Sequence, residues 1–213
     1  MLSGIDTSEY QGQVNWHAVH RGGNAFGMPK ATEGTYDRDP QFPHSWNGLR
    51  ARGMHRIAYH YFRPSYDPQV QASYLHTYVR ENGHFVAGDA VCLDLEVSDG
   101  LAADAVIRAA RLFVERAWLE IDKQVLLYTY PDFWLHQLGD PVDDVLAKCP
   151  LFVASYTDDP NATGAIPTFR NWPSGAAFWQ WTATGRVPGV LGDVDRDLFF
   201  GNEADYQKIM RRT

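Results

Sequence analysis

Positive charge is scarce in this sequence. Lysine and arginine number 19 against 26 aspartates and glutamates, for a formal net charge of −7. Nucleic acids and anionic membranes reward basic patches, so neither is expected as a partner. Long apolar runs are missing too. Although 45% of the residues are hydrophobic, no window approaches the ~18 unbroken apolar residues of a membrane span. Cysteine occurs only as Cys92 and Cys149, at a spacing that matches no zinc motif. Two buried free thiols are expected rather than a disulfide. The opening residues Met1-Leu2-Ser3-Gly4-Ile5-Asp6 lack the basic and apolar stretches of a secretory leader. Synthesis in a cytoplasm with release by another route is expected, or an extracellular protein whose leader has been trimmed.

Aromatic residues, in contrast, are plentiful: seven Trp, eleven Tyr and eleven Phe. Beyond what a core consumes, such rings offer flat apolar faces on which sugars stack. The length of 213 residues suits one large α/β domain. No linker, repeat or low-complexity tract interrupts it, so residues 1–213 read as a single domain. Strand-like runs recur at Leu2–Asp6, Arg56–Phe62, Ala90–Glu96, Gln124–Thr129, Leu151–Tyr156 and Ala176–Thr182. Helical patterns lie between several of them. One opens at Asp67-Pro68, an N-cap followed by proline at the first helical position. Another spans about Leu101 to Leu119, with Val106, Ile107, Ala110, Phe113, Val114 and Trp118 along one side. A shorter one follows Pro131-Asp132. Strand and helix alternate through the first two thirds, which implies a mainly parallel sheet. Thr157–Ser174, rich in Pro, Gly, Asn and Asp, reads as a long loop.

The densest chemistry lies in Val91-Cys92-Leu93-Asp94-Leu95-Glu96. A strand has period two, so Cys92, Asp94 and Glu96 share one face while Val91, Leu93, Leu95 and Val97 share the other. The two acids then sit roughly 6–7 Å apart along the strand. In a closed parallel barrel the apolar face meets the helices, and the acids point inward at the C-terminal mouth. Buried charges are costly unless paired, hydrogen-bonded or neutralised by a proton. Paired carboxylates are the equipment that splits glycosidic bonds.

Other strand ends carry polar groups that a barrel would gather at the same mouth: Asp6, Glu33, His60, Tyr61, Arg63, Tyr128, Tyr130, Tyr156, Gln180, Trp181 and Asp195. Each has a plainer reading. Asp6 suits a turn cap, and Glu33 a surface acid or a partner for Lys30. His60 is more readily a satisfied histidine of the barrel interior than a catalytic base. The tyrosines and Trp181 suit a core, and Asp195 lies in an acidic stretch, Asp193–Asp197, that resembles a solvated turn.

Taken together, the motifs resemble family 25 of the glycoside hydrolases, the lysozymes of the cellosyl and mutanolysin type. The matching stretches are Gly4-Ile5-Asp6…Gln11-Gly12…Trp16, Lys30-Ala31-Thr32-Glu33-Gly34…Asp39-Pro40…Phe42, Ala58-Tyr59-His60-Tyr61-Phe62 and Leu93-Asp94-Leu95-Glu96. Ala154-Ser155-Tyr156, Phe178-Trp179-Gln180-Trp181-Thr182 and Val194-Asp195…Phe199 complete the series, in order along nearly the whole chain. Departures occur at Thr7, where an aliphatic residue is usual, at Met28-Pro29, which suggests a short or irregular second strand, and at Asp37.

The resemblance implies an irregular TIM-like barrel of five β/α units and three further strands, (β/α)5(β)3. It also implies an N-acetylmuramidase acting on bacterial cell-wall peptidoglycan, as a monomer without metal or cofactor. On this reading Glu96 is the general acid, its proton held by burial and by Asp94. Asp94 stays ionised to stabilise the transition state or hold the substrate acetamido group, while Asp6 and Asp195 tune Asp94 and position the sugar. Glu33, Tyr61, Arg63, Tyr128, Tyr156 and Trp181 are candidate substrate contacts. A phage endolysin released with a holin fits the missing leader. The rival readings are a chitinase-like barrel glycosidase with its own Asp-x-Glu strand, and a non-catalytic wall-binding or virion module on the same fold.

Overall fold

The structure is a computed structural model and describes residues 1–161 and 166–212. Among these residues nine strands form one sheet that closes on itself. In chain order they are β1 (Leu2–Thr7), β2 (Asn24–Glu33), β3 (Asp37–Arg38), β4 (His55–Tyr61), β5 (Ala90–Asp94), β6 (Val125–Thr129), β7 (Leu151–Ala154), β8 (Phe178–Gly185) and β9 (Val194–Phe199). The helices are α1 (Trp16–Arg21), α2 (Phe42–Ala51), α3 (Pro68–Glu81), α4 (Ala103–Glu120) and α5 (Glu203–Ile209). The barrel runs β1-β2-β4-β5-β6-β7-β8-β9 and returns to β1, with β3 a short hairpin on β2. Strand β9 is antiparallel to both neighbours and the other barrel strands are parallel. After β6 a π-helical segment, Asp132–Gln137, replaces a full helix, and none follows β7 or β8 before the next strand among the described residues.

Period two decides which side chains meet. Val91, Leu93 and Leu95 pack outward with Ala72, Leu75 and Val79 of α3 and Val106, Ala110 and Phe113 of α4. Cys92 points inward with Met28, Ile57, Leu126, Phe152 and Phe178. Both cysteines are free and buried. Helix α3 begins as its sequence dictates: the Asp67 side chain accepts from the backbone N–H groups of Gln69 and Val70, with Pro68 at the first helical position.

Helix α5 follows β9 and seals the N-terminal end of the barrel. Tyr206 inserts among Phe26, Phe178 and Phe199, and its ring lies 5.3 Å from that of Phe199. Gly4 makes room for this packing, since a Cβ there would meet the Phe26 ring at 2.3 Å. The floor is therefore filled with rings, and the opposite, C-terminal end is left open.

One expectation changes and two gain detail. The second strand is irregular but not short: β2 has ten residues, with its register against β4 shifting between Lys30 and Thr32. His60 is satisfied, but on the helix side of β4. Its Nδ1 lies 2.8 Å from Thr32 Oγ1, its Nε2 2.9 Å from Gln71 Oε1 of α3, and its ring stacks on Phe113 of α4. Burial lowers its pKa to about 4, so it is neutral at pH 7. The expected loop at 157–174 is tethered to the core, because Trp172 is buried and its indole donates to the Cys149 carbonyl at 2.8 Å. Residues 162–165 of that loop lie outside the described residues.

Candidate active site

The open end holds a cavity of about 470 Å³ whose walls come from the first strand to the last. Asp6 arrives on β1, Lys30 and Glu33 on β2, Tyr59 and Tyr61 on β4, Asp94 at the end of β5, with Glu96 just beyond it. Tyr128 comes from β6, Tyr156 from beyond β7, Gln180 from β8 and Asp195 from β9. Arg63, Ser8, Tyr10 and Gln11 complete much of the rim.

Asp94 forms part of the floor and is 8% exposed, with an Oδ1 that is buried and has no hydrogen-bond partner. Burial and then the charge of Glu96 push its carboxyl well above the usual range, with Lys30 opposing. Glu96 stands higher. Burial raises its pKa too, against a hydrogen bond from the Tyr61 hydroxyl, with Asp195 raising and Lys30 lowering it further. Burial thus favours the protonated form of both carboxyls, so neither is an ordinary surface acid.

On the opposite wall the acids have few donors. Asp6 and Asp195 are partners across β1 and β9. Burial, and then the charges of Asp195 and Asp197, drive the Asp6 carboxyl well above its ordinary value. Asp195 is raised to about 6 by burial, against a hydrogen bond from Asp6. Gln180 holds this wall in register: its Nε2 donates to Asp6 Oδ2 at 2.6 Å, while its Oε1 accepts from the hydroxyls of Tyr128 and Tyr156, each at 2.9 Å.

The cations collect on one side. Lys30 Nζ lies 2.8 Å from Glu33 Oε2 and 5.4 Å from the centroid of Tyr61. Burial raises the Glu33 pKa, but hydrogen bonds from Lys30 and Tyr36 outweigh it, so Glu33 is an ordinary anion. Arg63 bridges Asp99 at 2.8 Å and approaches Glu33 at 3.8 Å. This edge is a neutralised ionic rim rather than a source of acid chemistry.

With this geometry in view, the sequence model of glycosyl hydrolases family 25 matches residues 5–190. The chain belongs to that family. It is 32% identical over 224 residues to Lysozyme M1 of Streptomyces globisporus, covering 100% of this chain and 72% of the relative. It is 30% identical over 194 residues to the N,O-diacetylmuramidase of Chalaropsis sp, covering 84% of this chain and 87% of that protein. Among solved structures, the bacterial lysozyme from Streptomyces coelicolor superposes with a TM-score of 0.87 at 30% identity, over 99% of this chain and 97% of the other. The muramidase from Trichobolus zukalii gives 0.85 at 26% identity, over 100% of both chains. This family 25 chain is a glycoside hydrolase, a lysozyme that degrades peptidoglycan.

Of the residues singled out from sequence, the family 25 barrel brings Asp6, Glu33, Tyr61, Arg63, Asp94, Glu96, Tyr128, Tyr156 and Asp195 to one cavity. It does not bring Trp181. That side chain packs against the helix-side core, with the Arg196 guanidinium 5.2 Å from its ring centroid. Phe178 and Gln180 take the inward positions of β8, and the pairing with β9 shifts between Gln180 and Thr182. Asp195 lies in a strand, not in a solvated turn.

Gln180, expected at the mouth as a strand end, is there as the group that holds Asp6, Tyr128 and Tyr156 together, whereas Tyr59 of the cavity wall and the acid beneath it were missed. Asp197, 1% exposed, stands two residues beyond Asp195, the same spacing that singled out Asp94 and Glu96.

Proposed function

We propose that this lysozyme cuts the β-1,4 bond between N-acetylmuramic acid and N-acetylglucosamine with Glu96 as general acid and Asp94 as the partner of the substrate acetamido group. The observation that carries this reading is the unpartnered, buried Oδ1 of Asp94 on the floor below Glu96. An acetamido N–H is the donor such an oxygen lacks. Burial raises the pKa of both carboxyls. Once a glycan fills the mouth, the N–H to Asp94 hydrogen bond favours charge on Asp94 and leaves the proton with Glu96.

Glu96 then gives that proton to the departing glycosidic oxygen as the bond to the anomeric carbon breaks. The acetamido carbonyl oxygen, oriented by Asp94, attacks the anomeric carbon and forms a cyclic intermediate. Glu96, now ionised, takes a proton from water, and the hydroxide opens the ring and restores the acetamide. Asp6 and Asp195 position the sugar and supply negative potential near the developing positive charge. Tyr61, Tyr128, Tyr156, Arg63 and Glu33 contact the glycan.

Residues 1–213 act as one catalytic domain and as a monomer on bacterial walls, with neither nucleic acid nor membrane as partner. No described helix is long and apolar enough to cross a membrane.

The test is Glu96→Gln assayed by reducing-sugar release from purified walls, with mass spectrometry of the products. Wild type should yield muramic acid at the new reducing end. The variant should fold, bind walls and lose most turnover; near-normal turnover removes Glu96 from its role. Glycan strands lacking the muramic acid N-acetyl group should resist cleavage, whereas direct carboxylate attack would leave them good substrates.

A further inference from the structure

Asp197 is a buried acid that the reaction as described does not use. It is 1% exposed, and neither of its carboxyl oxygens has a hydrogen-bond donor from a nitrogen or hydroxyl group. In register it sits opposite Gly4 on β1 and Gln180 on β8, one inward position below Asp195 and on the same inward side as Asp6, which pairs with Asp195. Three carboxyls therefore meet inside the barrel. Arg196 lies between two of them in sequence, but its guanidinium is turned outward over Trp181. The other titratable groups around the cluster are Tyr59 of β4, Cys92 and Asp94 of β5, Glu96 just beyond it, Tyr128 of β6 and Tyr156 beyond β7, none of them a cation; the charge of Arg196 lowers the Asp197 pKa but makes no ion pair with its carboxyl. Three adjacent buried carboxyls with no ion-paired cation do not all ionise, so protons bind them together.

We propose that Asp197 is a positioning residue that shares a proton with Asp6 beneath the cavity and so fixes the Asp6 carboxyl between Gln180 and Asp195. Gln180 already occupies Asp6 Oδ2. A proton between Asp6 and Asp197, and another from Asp6 to Asp195, orient the remaining edge. Asp195, the most exposed of the three, is left as the charged member facing the sugar. Burial and the charge of Asp195 favour the protonated form of Asp197 in this arrangement.

The inference rests on Asp6 and Asp195 serving the proposed reaction, so its test reads protonation separately from turnover. Carboxyl ¹³C shifts of aspartate-labelled protein are followed from pH 4 to 9 in wild type, Asp197→Asn and Asp197→Ala. In wild type, Asp195 should titrate near its raised value while Asp6 and Asp197 keep protonated shifts through neutral pH. In Asp197→Asn, the amide donates to Asp6 in place of a proton, and Asp6 should titrate at least about one unit lower. In Asp197→Ala, kcat should fall about tenfold with KM within about twofold, and the asparagine should restore much of the loss. Asp6 titrating identically in wild type and Asp197→Asn, or already ionised in wild type at pH 5, overturns the proposal. If the alanine variant does not fold, the asparagine titration still decides. Shifted Asp6 titration together with a fully active Glu96→Gln enzyme would keep Asp197 in its place and sink the catalytic assignment instead.

Discussion

The two ends of the barrel bury acids in opposite ways. At the closed end Asp89 is 4% exposed and meets Arg56 through two hydrogen bonds, from Nε to Oδ1 and from Nη2 to Oδ2. The guanidinium also lies over the Trp46 ring, 4.0 Å from its centroid, and donates to the Trp46 and His84 carbonyls. Burial still leaves the Asp89 pKa raised, so the pair only partly offsets its own desolvation. At the open end Asp6, Asp94, Asp195 and Asp197 have no such bidentate cation, and burial raises the pKa of each. A charge buried for architecture is given a counter-ion. A charge buried for chemistry is left able to change.

The sharpest way to break this comparison is to remove one ionisable side chain on each side of it. Glu96→Gln should reduce turnover by about 10²–10⁴-fold without lowering the melting temperature. At the closed end, Arg56→Met should cost about 3–5 kcal/mol, because Asp89 is left buried without its partner. Denaturant titration reads that loss, and turnover per folded molecule should stay near wild type. A smaller effect of opposite sign is expected from Asp195→Asn. It should raise stability at pH 8 by about 1–2 kcal/mol once solvent screening of a partly exposed group is allowed for, while lowering activity.

The pH dependence follows from the same residue. Its folded pKa, about 6, exceeds its model value of 3.8. Its contribution is therefore fully present below pH 3.8 and is lost as pH rises through 6. Asp6, Asp94, Glu96 and Asp197 are raised as well and act in the same direction. Thermal melts should show a higher midpoint at pH 5 than at pH 8, and a flat or rising profile would mean that these acids do not hold their protons. Smallest of all, Trp181→Phe should change KM less than about twofold, whereas Tyr156→Phe, which removes a donor to Gln180, should exceed it.

Much of this was legible from period two alone. The alternation around Asp94 told which face met the helices, and strand ends far apart in sequence were correctly gathered at one rim. What escaped was local. His60 and Trp181 lie on the outward parity of their strands, and the register shift beside Trp181 belongs to a pairing that a single strand's sequence does not contain. Asp197 carried the right signal, but Asp193 and Arg196 around it made the segment look like a turn. Helix α5 has few periodic apolar residues to announce it, since Tyr206 is the one side chain it buries fully.

That last helix has a consequence for the order of events. With Tyr206 and its neighbouring rings filling the base, the hollow is a cup rather than a tube, and traffic passes over its lip. In the two-step route proposed above, the water that completes hydrolysis would have to come over that same lip, once the severed half of the glycan had moved aside.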